Sequence, residues 1–317
     1  METNPEYSSE EIINNLLDKN KPFNPRFLNF FSDISEENLC IIQSIWSNVD
    51  RDRKINLLKD LESLIETNTL VSCDDFGLFA LQDDDARIRS QAIPLLWECN
   101  DIKLISILIN LLQNDSSCEV NASAAAALGK FVLLGELEEI PEESAILVQD
   151  LLFSEYRKTE EDSFRQRILE SLGYSSDEKV NQLIKNALEK DNKEWHLSAL
   201  LAIRRSANNI WEKVVVEKLT DLDSDIQIEA IKAVGELEIK LAKEQIIEFI
   251  ENSTPDEELH IQAIWALSRL GGKDIIELFE RMIEESDDEE EIDILEMALD
   301  NLELTNGIPS FDLFDQS

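Results

Sequence analysis

Two histidines, four cysteines and many carboxylates are the side chains of this 317-residue chain whose types could do chemistry. A histidine pair can hold zinc or exchange protons near neutral pH. His196 follows Trp195 and His260 follows Leu259, too far apart for a His-Glu-x-x-His zinc helix, and no His-Glu dipeptide occurs. Both fall at one position of a repeating pattern, which predicts a structural polar contact. Cys40, Cys73, Cys99 and Cys118 show no Cys-x-x-Cys spacing and are expected to be small buried hydrophobes in a reducing compartment. Carboxylate pairs such as Asp83–Asp85, Glu257–Glu258 and Asp287–Glu291 abound, and acids so frequent mark no particular site. There is no Gly-rich phosphate loop and no Gly-x-Ser-x-Gly elbow. The expectation is a chain without catalytic residues, metal or cofactor.

Charge is the stronger signal. The chain has 68 acidic residues against 29 basic ones, a net charge of −39. Such a surface repels phosphate backbones and anionic lipid, which argues against nucleic-acid and membrane partners. It solubilises the molecule, suits a salt-adapted host, or receives a basic segment of a protein partner. Arg204 and Arg205 form a basic island in AIRRSANNIW, and with Trp211 they have the composition of an interface hot spot. The alternative is that these arginines only balance nearby acids. Trp97 and Trp265 lie in or near repeat helices, and most of the tryptophans are expected in the core.

The elements that would position these residues follow a repeat. In DLDSDIQIEAIKAVG (221–235), Asp223, Ser224 and Asp225 can cap a helix whose apolar face carries Ile226, Ala230, Ile231 and Val234. Ala230 and Ala233 are small, which lets a neighbouring helix approach closely. Equivalent anchors fall at Ile88, Val120, Phe164, Trp195, Ile226, Leu259 and Glu291, separated by 32, 44, 31, 31, 33 and 32 residues. That period is the mark of a solenoid. The long interval predicts an insertion within FVLLGELEEIPEE (131–143). Second helices are predicted at 101–113, 177–190, 209–219, 243–252 and 273–285. No stretch alternates with period two. The fold class is therefore all-α: an α-solenoid of stacked antiparallel helix pairs, one continuous elongated domain, with an N-terminal helical cap. Its concave face, lined by the second helices with Glu212, Glu248 and Glu277, is where a partner would lie.

The expected domains are 1–78, a cap ending in a first helix pair (35–46 and 52–66); 79–304, the repeats; and 305–317, an acidic-aromatic tail. Residues 1–9 read as disordered. Phe23, Phe27, Phe30 and Phe31 cluster around two prolines, as expected of a plug on the exposed end of the stack. No apolar run approaches the roughly 18 residues of a membrane span, and METNPEYSSEE is not a secretory signal. The expected compartment is the cytoplasm.

The pattern of Asp, then an apolar residue and an Arg six later, then an Ala-rich helix and Leu-Gly resembles HEAT repeats, of the short bacterial kind also found in phycobilin lyases. KPFNPRFLNFFSDIS, SLGYSSDEKV and RRSAN further resemble an uncharacterised bacterial HEAT-repeat family. The resemblance implies the fold and an interaction surface, but no fixed chemistry. A non-enzymatic scaffold is the leading expectation, and a phycobilin lyase-like or other enzyme-associated role the alternative. The missing His-Glu pairs separate the chain from the di-iron hydroxylases built of such repeats. The resemblance also implies a ladder in which an Asp and an Arg six residues later link neighbouring repeats. Asp83–Arg89 keeps both, Asp115–Asn121 and Asp221–Gln227 replace the Arg with an amide, and Arg165 faces Thr159.

Overall fold

The computed structural model describes residues 7–251 and 256–307, with side chains of 303–307 left out. The segment 308–317, which holds most of the acidic-aromatic tail, and residues 1–6 lie outside the described part. Every regular element in the described residues is helical. The helices fall into two compact units, Met1–Ser171 and Leu172–Ser317.

The first unit opens with α1 (Ser9–Leu17), capped by Ser8, whose hydroxyl accepts from Glu11 N while the Glu11 carboxylate takes Ser8 N–H. A 3₁₀ turn at Pro25–Phe31 buries Phe23, Phe27 and Phe31. Phe31 stacks 4.7 Å from Phe76, and Trp46 meets Phe76 edge-on at 5.6 Å. This is the expected aromatic plug. Next come α2 (Glu36–Ile45), α3 (Arg51–Thr67), α4 (Asp74–Ala80) and α5 (Ala86–Ala92). Then follow α6 (Lys103–Asn114), α7 (Cys118–Glu136), α8 (Glu142–Lys158) and α9 (Asp162–Leu172). Helices α3, α5 and α7 pack side by side. Helix α3 thus joins the row formed by α5 and α7.

Pro94 lacks an N–H, so the helix begun at Ala86 tightens into a 3₁₀ turn at Ile93–Leu96. Across the long interval α7 runs to Glu136 and α8 has 17 residues, so the extra length is mostly helix. Among the described residues, α7 alone is long and apolar enough to cross a membrane. Its Val120, Ala124, Leu128, Phe131 and Val132 are buried, and it packs on α5, α6 and α8.

The second unit comprises α10 (Glu178–Leu188), α11 (Lys193–Arg205), α12 (Glu212–Lys218) and α13 (Ser224–Glu236). It continues with α14 (Lys243–Glu251), α15 (Glu257–Leu270), α16 (Lys273–Glu285) and α17 (Glu289–Gly307). The first helices α11, α13, α15 and α17 pack on one another in sequence, and each second helix packs chiefly on first helices. Small residues set the spacing. A Cβ on Gly235 would stand 3.0 Å from Ala266 Cα, so a side chain there would crowd this approach of α13 and α15. In the first unit, Gly129 meets Ser171 Cα in the same way, at 3.1 Å.

Ala124, on α7 in the first unit, is fully buried. Ala124→Leu is expected to cost about 1–3 kcal/mol through overpacking. A urea midpoint equal to wild type would show that this helix face is not packed.

Candidate functional site

The ladder position serves a purpose the sequence did not reveal. Arg89 makes a two-pronged bond to Asp115 of the next repeat, both distances 2.8 Å, and donates to the Asp83 and Asp84 carbonyls behind it. Lys54 likewise reaches Asp83 at 2.9 Å, where Trp46 Nε1 also donates at 2.7 Å. Arginine six residues after Asp83 thus takes that residue's backbone, and its carboxylate partner belongs to the following repeat.

At most of the equivalent positions a backbone contact remains. Asn121 Nδ2 donates to the carbonyls of Leu111, Leu112 and Asp115. Arg165 Nε reaches Tyr156 O at 3.2 Å, His196 Nε2 lies 3.1 Å from Leu188 O, and Gln227 Nε2 donates to Leu219 O at 3.1 Å. These acceptors sit at or next to the C-terminal ends of second helices, where carbonyls lack intrahelical partners. His260 instead bonds Glu291 at 3.0 Å. Both histidines are held in framework contacts. Among the described residues, no group of three or more His, Cys, Asp or Glu is placed to hold a metal.

The thiols divide. Cys73 and Cys99 are buried as expected, whereas Cys40 and Cys118 are exposed on the polar sides of their helices. Burial pushes the Cys73 thiol up to about 12 and raises Cys99, which keeps both from the reactive thiolate form. Nearby Asp74 is raised, chiefly by burial, and Lys130 lowered by the same cause. Lys130 Nζ donates to the Cys99 carbonyl at 3.2 Å, a helix-end contact like those above.

The candidate interface residues separate into three groups. Trp211 is buried, with 3% of its surface exposed, so it offers no hot spot to a partner. The chain turns through 3₁₀ residues Asn209–Trp211 into α12, driving the ring into the core and leaving Ile210 outside. Arg204 ties α11 to α13: its Nη1 donates to Glu229 at 3.1 Å, and its Nε lies 3.1 Å from Glu236 without pointing at it. Charge balance, the blander alternative, describes Arg204. Arg205 stands over the Tyr174 ring at 4.8 Å. Glu212 is half-buried, while Glu248 and Glu277 are exposed on α14 and α16, with Lys273 3.7 Å from Glu277.

A different constellation does come together. Lys232, Glu236, Gln262, Trp265 and Arg269 line a cleft of about 190 Å³ between α13 and α15, floored by Gly235 and Ala266. Arg205, Glu236 and Arg269 occupy one register position in three successive repeats, ten residues after each anchor. Aligning the repeats reveals that rung, but only the close approach at Gly235 shows that it frames a cleft with Trp265. A second cleft, about 460 Å³, has Ile250, Ile261, Ile264 and Met282 beneath Glu257 and Glu290.

The family model for HEAT repeats matches residues 212–300, the stretch from α12 into α17. That stretch is similar to HEAT repeats. No curated protein matches the chain in sequence. Among solved structures, the Escherichia coli protein YibA aligns at 17% identity over 87% of this chain and 95% of its own, with a TM-score of 0.46. An engineered protein aligns at 17% over 93% and 90%, TM-score 0.38. Human deoxyhypusine hydroxylase in complex with glycerol aligns at 15% over 93% and 96%, TM-score 0.35. At these values the likenesses carry nothing about what this chain does.

Proposed function

We propose that this HEAT-repeat protein is a non-enzymatic cytoplasmic scaffold that holds a basic segment of a partner protein on the acidic surface of its second helices. The observation behind this reading is how the cations are used. Lys193 binds Asp223 and Asp225, Lys218 binds Asp221, Lys243 binds Asp274, and Arg281 binds Glu251. Most of these pairs bridge successive repeats. With basic side chains committed to holding repeats together, the 39-charge surplus of carboxylates remains for the surface. Glu248 and Glu277 are exposed examples on neighbouring second helices.

Charge complementarity speeds association and is weakened by mobile ions. The Debye length falls from about 8 Å at 0.15 M salt to about 3 Å at 1 M. Partner capture is expected to fall steeply over that range, and further with Glu212, Glu248 and Glu277 reversed to Lys. Reversing Glu229 in the first-helix layer should have less effect on capture; it also removes an Arg204 contact, so that variant must first melt like a folded protein. The measurement is affinity capture from host lysate with quantitative mass spectrometry. Salt-insensitive capture that ignores the three-residue reversal would reduce the charge to solubilisation.

A further inference from the structure

Lys232, Trp265 and Arg269 line a basic, aromatic cleft on a chain that is otherwise strongly acidic. The carboxylate in its lining, Glu236, stands 3.1 Å from Arg204. Lys232 and Arg204 each hold Glu229 at 3.1 Å. Lys193, Lys218, Lys243 and Arg281 are engaged in ion pairs as well. Arg269 is not: it is exposed and makes no hydrogen bond or ion pair among the described residues. Trp265 lies half-buried on the same helix, one turn before it. An indole beside an unengaged guanidinium suits a ring next to a carboxylate. The ring packs on the indole, and the guanidinium takes both carboxylate oxygens. A cavity of roughly 150 Å³ already holds a benzene molecule. At about 190 Å³, this cleft seats one aromatic side chain.

The cleft is one end of a longer row. Gly235 lies against Ala266 and the Arg269 stem, and Arg204 reaches Glu229 and Glu236. The C-terminal turns of α11, α13 and α15 therefore lie side by side, and Arg205, Glu236 and Arg269 share one register position on them. Arg205, at the other end of the row, also stands over a ring, Tyr174, at 4.8 Å. Two helix spacings of about 8–10 Å place Arg205 and Arg269 roughly 16–20 Å apart. An extended chain covers that distance in roughly five or six residues. A one-ring molecule cannot bridge both cations, whereas a peptide can.

We infer that this row binds an acidic segment of a partner protein in extended form. An aromatic side chain of the segment sits in the cleft against Trp265, the adjoining carboxylate on Arg269, and a carboxylate roughly five or six residues away on Arg205. The surface is separate from that of a basic partner: it uses first helices, and its charge preference is opposite. Salt distinguishes the two. The surplus carboxylates of the chain repel an acidic segment at long range, and salt screens that repulsion before it screens the contacts in the cleft. The Debye length falls from about 30 Å at 0.01 M to about 8 Å at 0.15 M. Affinity for the acidic segment should rise over that range, where capture of a basic one falls.

Isothermal titration calorimetry of the full chain with the acetylated, amidated peptide Asp-Ser-Gly-Ser-Gly-Phe-Asp tests the contact. Saturable one-to-one binding is expected. Replacing the peptide's Phe by Ala should weaken it at least about tenfold, and so should Arg269→Gln, a change at an exposed side chain. A peptide lacking the first Asp should bind wild type and Arg205→Gln equally, whereas the complete peptide should prefer wild type. Lys273→Gln, exposed on α16 and outside the row, should leave binding unchanged. Absence of binding at millimolar peptide, or equal binding by wild type and an Arg269→Gln variant that melts like wild type, would overturn the inference. So would 3-phenylpropanoate binding as tightly as the peptide, which would make the cleft a site for a small aromatic acid.

Discussion

Arg89→Met is expected to lower unfolding free energy by about 3–5 kcal/mol, the usual result of removing one member of a buried ion pair. The Arg89 and Asp115 side chains are 15% and 6% exposed, so water can replace little of what is lost. The substitution leaves the Asp115 carboxylate without its two-pronged donor and removes the bonds to the Asp83 and Asp84 carbonyls. Arg89→Met with Asp115→Leu should recover much of the loss, because a buried pair exchanged for apolar groups is often neutral. Acid should act on the same contact. The Arg89 guanidinium holds the Asp115 carboxyl below its ordinary value, so the folded pKa lies beneath the unfolded one near about 3.9. The pair's stabilisation is thus fully present above about pH 4 and is lost as pH falls through the lower folded value. Urea unfolding at pH 7 and near pH 3 should show the wild-type to Arg89→Met gap narrowing in acid. A pH-independent gap would mean that Arg89 acts through its backbone contacts alone.

Phe76→Ala is expected to cost a comparable 3–5 kcal/mol. Phe76 is fully buried and touches Phe31 from the N-terminal plug, Trp46 from the turn after α2, and Phe79 on its own helix. Its removal opens a cavity where the plug joins the repeats. The predicted signature is local: hydrogen exchange should accelerate in residues 23–46 more than in α7. Uniform acceleration throughout the unit would instead make the plug part of the unit's global folding.

The helices themselves were legible because their apolar spacing is strong. Lys103–Asn114, Glu178–Leu188, Lys243–Glu251 and Lys273–Glu285 fall almost where the periodicity put them. Features that depend on a neighbour were less legible. Trp211 beside two arginines has the composition of an exposed anchor, and only the turn ahead of α12 sends it inward while Ile210 stays out. The Trp265 and Arg269 cleft is likewise invisible along the chain, since its walls come from different repeats. The polar ladder looked irregular because side-chain identities were compared, whereas its acceptor is mostly main chain.

That last feature bears on how such a chain can lengthen or shorten. A carbonyl group is present on every residue, so Asn121, Arg165, His196 and Gln227 each find an acceptor whatever side chains the preceding helix carries. A junction read through the main chain does not require two modules to have evolved together. Copies can be duplicated, lost or recombined within the array, and the new seam still closes. Arg89 with Asp115 and His260 with Glu291 are exceptions: a seam closed by matched side chains resists such shuffling.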